Sequence, residues 1–174
     1  TDLSNAKSVC VVAGGSGCAI GFPVIRELNK MGVAVDAVIG FRNKDLVVLE
    51  KEIKALTGEC IVMTDDGSYG EQGFVTVKLQ QLLEAGREYD AVLAIGPIPM
   101  MKFVSLTTKP FGVHTSVSLN PIMVDGTGMC GGCRLSLIRD GKRITEFACV
   151  SGPDFNGYEV DFDEAMSRSS MYRD

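Results

Sequence analysis

Two rhythms of apolar residues alternate along this chain. Residues 8–13, Ser-Val-Cys-Val-Val-Ala, form a short continuous apolar run, the pattern of a parallel strand buried on both faces. Over residues 18–31, Ile20, Val24, Ile25, Leu28 and Met31 then recur at helical spacing. The succession repeats three times. A strand over 33–39 precedes a helix over 45–56 with Asp45 as its N-cap, and a strand over 60–64 precedes an amphipathic helix over 74–85 closed by Gly86. A strand over 89–95 precedes a helix ending near Thr108, and residues 114–119 alternate polar and apolar as a fifth, edge-like strand. Strand and helix in turn through residue 119 predict an α/β fold with a doubly wound parallel sheet.

From Asn120 the rhythm changes. Residues 120–133 are rich in glycine, and 134–138 with 143–150 read as a hairpin turning at Asp140-Gly141. The tail carries Asp154, Asp161, Asp163 and Glu164 and ends in a short helix, expected to cap the sheet or whatever the glycine-rich loop binds. The expected division is a nucleotide-binding domain over 7–119 and a small appendage with its tail over 120–174.

Composition narrows the classes of function. The chain has 174 residues, 45% hydrophobic and 22% charged, with a formal net charge of −5. An acidic balance offers no electrostatic footprint for nucleic acid or an anionic membrane surface. No apolar run approaches the roughly 20 residues that span a bilayer, and no signal peptide opens the chain, so a cytoplasmic location is expected. In a reducing compartment, clustered cysteines bind metal or serve redox chemistry more often than they form disulfides.

The chemistry gathers where strands end. Gly14-Gly15-Ser16-Gly17 lies between the first strand and helix, where glycines allow close approach and a helix start presents free N–H groups to phosphate. The bland reading is a tight turn, and Pro23 departs from the usual dinucleotide fingerprint, which points to another type of nucleotide domain. Arg42 and Lys44 follow the second strand, where an adenosine ribose or its 2′-phosphate would lie; solvated loop cations are the alternative. Residues 65–73 form a polar, glycine-rich loop after the third strand, either a ligand loop or an ordinary surface loop. His114, the single histidine, is expected to be structural.

Asp125-Gly-Thr-Gly-Met-Cys130-Gly-Gly-Cys133, answered by Cys149, holds three of the six cysteines. Glycines let backbone wrap a bound centre and leave amide N–H groups free for sulfide. The spacing D-x4-C-x2-C-x15-C places a carboxylate where the plant-type [2Fe–2S] pattern C-x4-C-x2-C has its first thiolate. Asp125, Cys130, Cys133 and Cys149 are the candidate metal ligands. Cys10, Cys18 and Cys60 fit buried strands or turns as small hydrophobes. A structural zinc site is the rival, though zinc modules usually pair two Cys-x2-Cys turns and only one is present. A redox-sensing regulator is a second rival, but no module for binding DNA or a partner is visible.

Four motifs stand in one order: Gly14-Gly15-Ser16-Gly17-Cys18-Ala19, Thr64-Asp65-Asp66-Gly67-Ser68-Tyr69-Gly70, Gly96-Pro97-Ile98-Pro99-Met100-Met101, and the Asp125 to Cys149 set. Together they resemble the ferredoxin–NADP reductase superfamily, in the branch containing the electron-transfer subunit of dihydroorotate dehydrogenase B. The run from Ser118 to Cys130 is similar to the family of small subunits of NADH-dependent ferredoxin–NADP oxidoreductase, also called sulfide dehydrogenase. Two departures favour that family: Ile95 stands where many reductases have cysteine before Gly-Pro, and Asp125 replaces a fourth cysteine.

The resemblance implies an oxidoreductase that relays electrons among NAD(P)H, FAD and a [2Fe–2S] cluster, with no side chain acting as nucleophile or base. It implies cofactor binding by Gly14, Gly15, Ser16, Gly17, Ala19, Arg42, Asp65, Asp66, Gly67, Gly70, Gly96, Pro97, Met100 and Met101. The implied partners are a larger flavin/iron–sulfur catalytic subunit and ferredoxin. The family's FAD barrel, with its Arg-x-Tyr-[Ser/Thr] motif, has no counterpart here, and the chain opens on Thr1. A carboxyl-terminal fragment, inactive alone and unable to hold FAD properly, is therefore expected.

Overall fold

The structure, a computed structural model, describes residues 3, 5–119 and 121–171. The boundary expected at Asn120 and the last residues of the expected tail, 172–174, lie outside the described residues. In chain order the elements are β1 (Ser8–Gly14), α1 (Gly17–Lys30), β2 (Ala34–Phe41), α2 (Glu50–Lys54), β3 (Glu59–Thr64), β4 (Glu71–Gln72), α3 (Val75–Glu84), β5 (Ala91–Ile95) and α4 (Ile98–Thr108). After them come β6 (His114–Ser118), β7 (Arg134–Arg139), β8 (Lys142–Phe147), α5 (Ala148–Ser151), β9 (Asp154–Asn156) and α6 (Phe162–Ser170).

Seven strands form one sheet in the order β4-β3-β2-β1-β5-β6-β9, parallel except for β9. The first strand explains why its apolar run is unbroken. Val9, Val11 and Ala13 point into a core shared with Ile25, Leu28 and Ile53, while Cys10 and Val12 point into a second core with Leu79, Met101 and Val104. Both faces are covered, so both sets must be apolar.

Three expectations need correction. The helix expected over 45–56 is a 3-10 turn, Lys44–Leu46, followed by the short α2; Leu49, with φ 59°, breaks the path between them. Val47 and Leu49 are drawn onto the core beside α1, and burying them outweighs continuing the helix. The strand over 114–119 is not an edge, because residues 154–156 of the tail return as antiparallel β9 and cover β6. Two of its polar positions are buried rather than solvated: Thr115 and Ser116 are 0% and 2% exposed. The second hairpin strand stops at Phe147, and Cys149 lies in the single helical turn α5.

The hairpin itself turns as expected, with Asp140 and Gly141 at φ 52° and 73°. Two consecutive left-handed residues match the twist of the paired strands, which suits Asp-Gly. Its apolar face does not make a core of its own. Leu135, Leu137, Phe155, Val160 and Phe162 join the core of Val104 and Val117. Asp161 caps α6 by accepting from the Glu164 N–H at 3.0 Å, and the Lys102–Asp163 ion pair at 2.6 Å ties α6 to α4.

Candidate functional site

The carboxyl ends of the parallel strands open on a cleft of about 990 Å³. Sheet order reverses between β1 and β5, so the chain leaves these two strands in opposite directions and a crevice is left between their loops. Of the residues expected at a binding site, Gly14, Gly15, Ser16, Gly17, Arg42, Asp65, Gly96, Pro97, Met100 and Met101 line this cleft. Ala19, Asp66, Gly67 and Gly70 do not. Ala19 is exposed in the first turn of α1, and Gly70 packs on β3, where a Cβ would stand 2.2 Å from Val62 O.

Local geometry leaves two N–H groups of the glycine loop free. The Gly15 N–H bonds Gly40 O at 2.9 Å, and those of Cys18 and Ala19 bond Gly15 O and Ser16 O at 3.1 Å. The N–H groups of Ser16 and Gly17 make no hydrogen bond among the described residues, at the positive end of a 14-residue helix. Met100 lies over the floor: a Cβ on Gly14 would be 2.7 Å from its Sδ, and one on Gly96 would be 2.9 Å from its Cε. These residues fit a pyrophosphate, an anion that backbone N–H groups and a helix start can hold without a cation.

Sequence reasoning missed the apolar wall. Ile20, Phe41, Leu46, Phe74 and Phe103 also line the cleft, with Phe74 and Phe103 65% and 56% exposed. A signal was present: Phe74 holds the N-cap position of α3, where a small polar residue is normally favoured.

The second site is the glycine-rich loop and α5. Cys133 Sγ and Cys149 Sγ lie 3.2 Å apart, and the Cys149 N–H points to Cys133 Sγ at 3.5 Å. That N–H holds the buried Cys133 thiol below its usual range, while the bond to Cys133 pushes Cys149 up. Asp125 is held below the usual carboxylate range first by the Thr127 N–H, at 2.8 Å, and also by the Thr127 hydroxyl and Cys130. The Gly132 N–H donates to Cys130 Sγ at 3.4 Å.

The four expected ligands thus come as two pairs, Cys133 with Cys149 and Asp125 with Cys130. No group of three or more His, Cys, Asp or Glu side chains among the described residues converges on one point. A binuclear iron–sulfur centre takes its protein ligands two to each iron, so two pairs with N–H groups on sulfur suit it. A tetrahedral zinc ion needs all four donors at one point.

Residues 120–161 match the family described as the iron–sulfur cluster binding domain of dihydroorotate dehydrogenase B. A Thermotoga maritima protein named as a homologue of the dihydroorotate dehydrogenase B (NAD(+)) electron transfer subunit is 42% identical over 174 residues, covering 100% of this chain and 60% of the relative. A Clostridium beijerinckii protein known only as an uncharacterized protein in the adh 3′ region is 46% identical over 168 residues, 96% of this chain and 55% of its own length. A solved structure of an NADH-dependent reduced ferredoxin-NADP oxidoreductase, described in terms of flavin-based electron bifurcation, superposes with a TM-score of 0.84 at 43% identity. That match covers 95% of this chain and 58% of the solved one. The chain therefore spans less than two thirds of the length of each of these three proteins. No helix among the described residues is long and apolar enough to cross a membrane.

Proposed function

The chain is homologous to the electron-transfer subunits of dihydroorotate dehydrogenase B, and from that kinship we propose that it is the nucleotide-binding and iron–sulfur part of an NAD(P)H-dependent oxidoreductase. Residues 7–119 hold the dinucleotide, and 120–174 hold a [2Fe–2S] cluster. The observation that carries this reading is the pairing of Asp125 with Cys130 and of Cys133 with Cys149, two donors for each of two irons. FAD completes the set of cofactors. The chain pairs with a larger flavin/iron–sulfur catalytic subunit, with ferredoxin a further electron partner. Six cysteines, all free, fit a reducing cytoplasm.

The bound nicotinamide, flavin and cluster supply the hydride and one-electron chemistry. The chain's own residues bind and orient. Ser16 and Gly17 offer their N–H groups to pyrophosphate, and Arg42 faces the adenosine end. Gly96, Pro97 and Met100 set how near the other end of the dinucleotide comes to the floor over β1 and β5. Ile20, Phe74 and Phe103 present an apolar wall that keeps water from part of the cleft. Cys130, Cys133, Cys149 and Asp125 hold the cluster through three thiolates and one carboxylate.

The test is the absorption spectrum of anaerobically purified chain, with iron, zinc and acid-labile sulfide assays on the same sample. Brown protein with about two iron and two sulfide per chain is expected; a colourless protein holding one zinc would sink the electron-transfer reading. Asp125→Cys should keep the cluster and shift its reduction potential, and an unchanged potential would exclude Asp125 as a ligand. Cys130→Ala should lose most of the iron.

A further inference from the structure

Asp66, Gly67 and Gly70 stand off the cleft wall, and the structure shows what their loop does instead. Beyond the sheet, the chain after β2 and the chain after β3 run on together. The Asp65 N–H donates to Phe41 O at 3.0 Å and the Asp66 N–H to Arg42 O at 3.3 Å. The Lys44 N–H donates to Ser68 Oγ at 2.8 Å, and that hydroxyl donates onward to Asp66 Oδ1 at 2.6 Å. Asp66 Oδ1 also accepts from the Ser68 N–H at 2.9 Å. Thr64, fully buried, closes the loop by donating to Tyr69 O at 2.5 Å and accepting from the Tyr69 N–H at 3.2 Å.

Arg42 is thus clamped by its own carbonyl and on both sides, while its side chain is exposed on the cleft. The guanidinium makes no ion pair among the described residues. Lys44 does not compete for the role: it is absent from the cleft wall and its ammonium lies 5.9 Å from the centre of the Tyr69 ring. Arg42 is then the cleft's one cation among the described residues. The backbone that carries the arginine is fixed before any ligand arrives, so less freedom is left to be lost there on binding.

We propose that Asp66 and Ser68 are positioning residues for Arg42, acting through the Ser68 hydroxyl bridge to Lys44 and the Asp66 backbone, and that they set affinity for the adenosine ribose end of the dinucleotide without touching it. This rests on reading the cleft as a dinucleotide site. Asp66, an ordinary ionised carboxylate at neutral pH, is drawn lower still by the Ser68 hydroxyl and N–H, which fits its role as acceptor.

The test is calorimetric titration of the full chain with ADP-ribose, with the thermal midpoint recorded for each variant. Arg42→Ala, Ser68→Ala and Asp66→Ala should each weaken binding about tenfold, a coupling typical of groups in one network. Ser68→Thr, which keeps the hydroxyl, should restore it. The double variant Arg42→Ala with Ser68→Ala should bind no more weakly than Arg42→Ala alone. If Ser68→Ala costs the same factor in the Arg42→Ala background, or Ser68→Thr fails to restore binding, the positioning role is wrong and the dinucleotide reading stands. If wild-type chain with a full complement of iron does not bind ADP-ribose, both fall. Should Asp66→Ala not fold, the Ser68 series decides the matter alone.

Discussion

A Cβ on Gly17 would lie 2.1 Å from Ile95 O and 2.7 Å from the carbonyl carbon, so the first turn of α1 touches the backbone of β5 itself. Backbone on both sides cannot rotate away as a side chain would. Gly17→Ala should therefore cost about 3 kcal/mol, the upper end of overpacking penalties, and weaken ADP-ribose binding, read by thermal melting and titration. An unchanged midpoint would show that the contact can relax. At this scale the sequence was informative about chemistry and silent about cause. Glycine at residue 17 suggests phosphate, but whether it serves the ligand or the contact with β5 depends on an atom 78 positions away in the chain. The cysteines stood out because their spacing follows a thiolate-ligand pattern. Phe74 and Phe103 did not, since an apolar residue on a helix reads as core until its exposure is seen.

Among elements, β6 shows how a tertiary neighbour overrides a pattern. Its alternation of polar and apolar residues suggests one wet face, yet Thr115 meets Thr108 Oγ1 at 2.6 Å and Tyr158 Oη at 3.1 Å under the cover of β9. Tyr158 also bonds Thr108 at 3.0 Å and donates to Val113 O. This hydroxyl cluster ties the polypeptide after β9 to α4 and β6. Tyr158→Phe removes the hub while keeping the ring, and should cost about 1–2 kcal/mol and speed amide exchange in β6 and β9. Exchange unchanged in those strands would mean that apolar packing alone holds the tail. The expected helix over 45–56 failed for the same kind of reason: its periodicity is real, but Val47 and Leu49 are claimed by the core beside α1.

In the molecule as a whole, three thiols lie within the seven-stranded part of the fold, Cys10 and Cys18 buried and Cys60 half-buried. Burial pushes Cys60 up to about 11 and Cys18 up to about 12, and raises Cys10 and Tyr89 further. The unfolded chain then releases these protons first, near the ordinary thiol value of about 9. Their contribution to stability is whole below that pH and is lost as pH rises through the folded values. The thermal midpoint should be level with respect to these groups up to about pH 9 and fall above it, and Cys18→Ala should make the fall shallower; an unaltered slope would show that Cys18 ionises as freely in the folded chain. By itself the sequence determined the alternation of strand and helix, the glycine loop at the first strand's end, the Asp-Gly hairpin turn and the cysteine spacing that marks candidate ligands, because each depends on residues near one another in the chain. Only the tertiary structure decided that β9 covers β6, that the four candidate ligands form two pairs, and that Asp66 braces the backbone of Arg42 instead of lining the cleft. Those outcomes turn on contacts between distant segments, whose geometry local pattern does not encode.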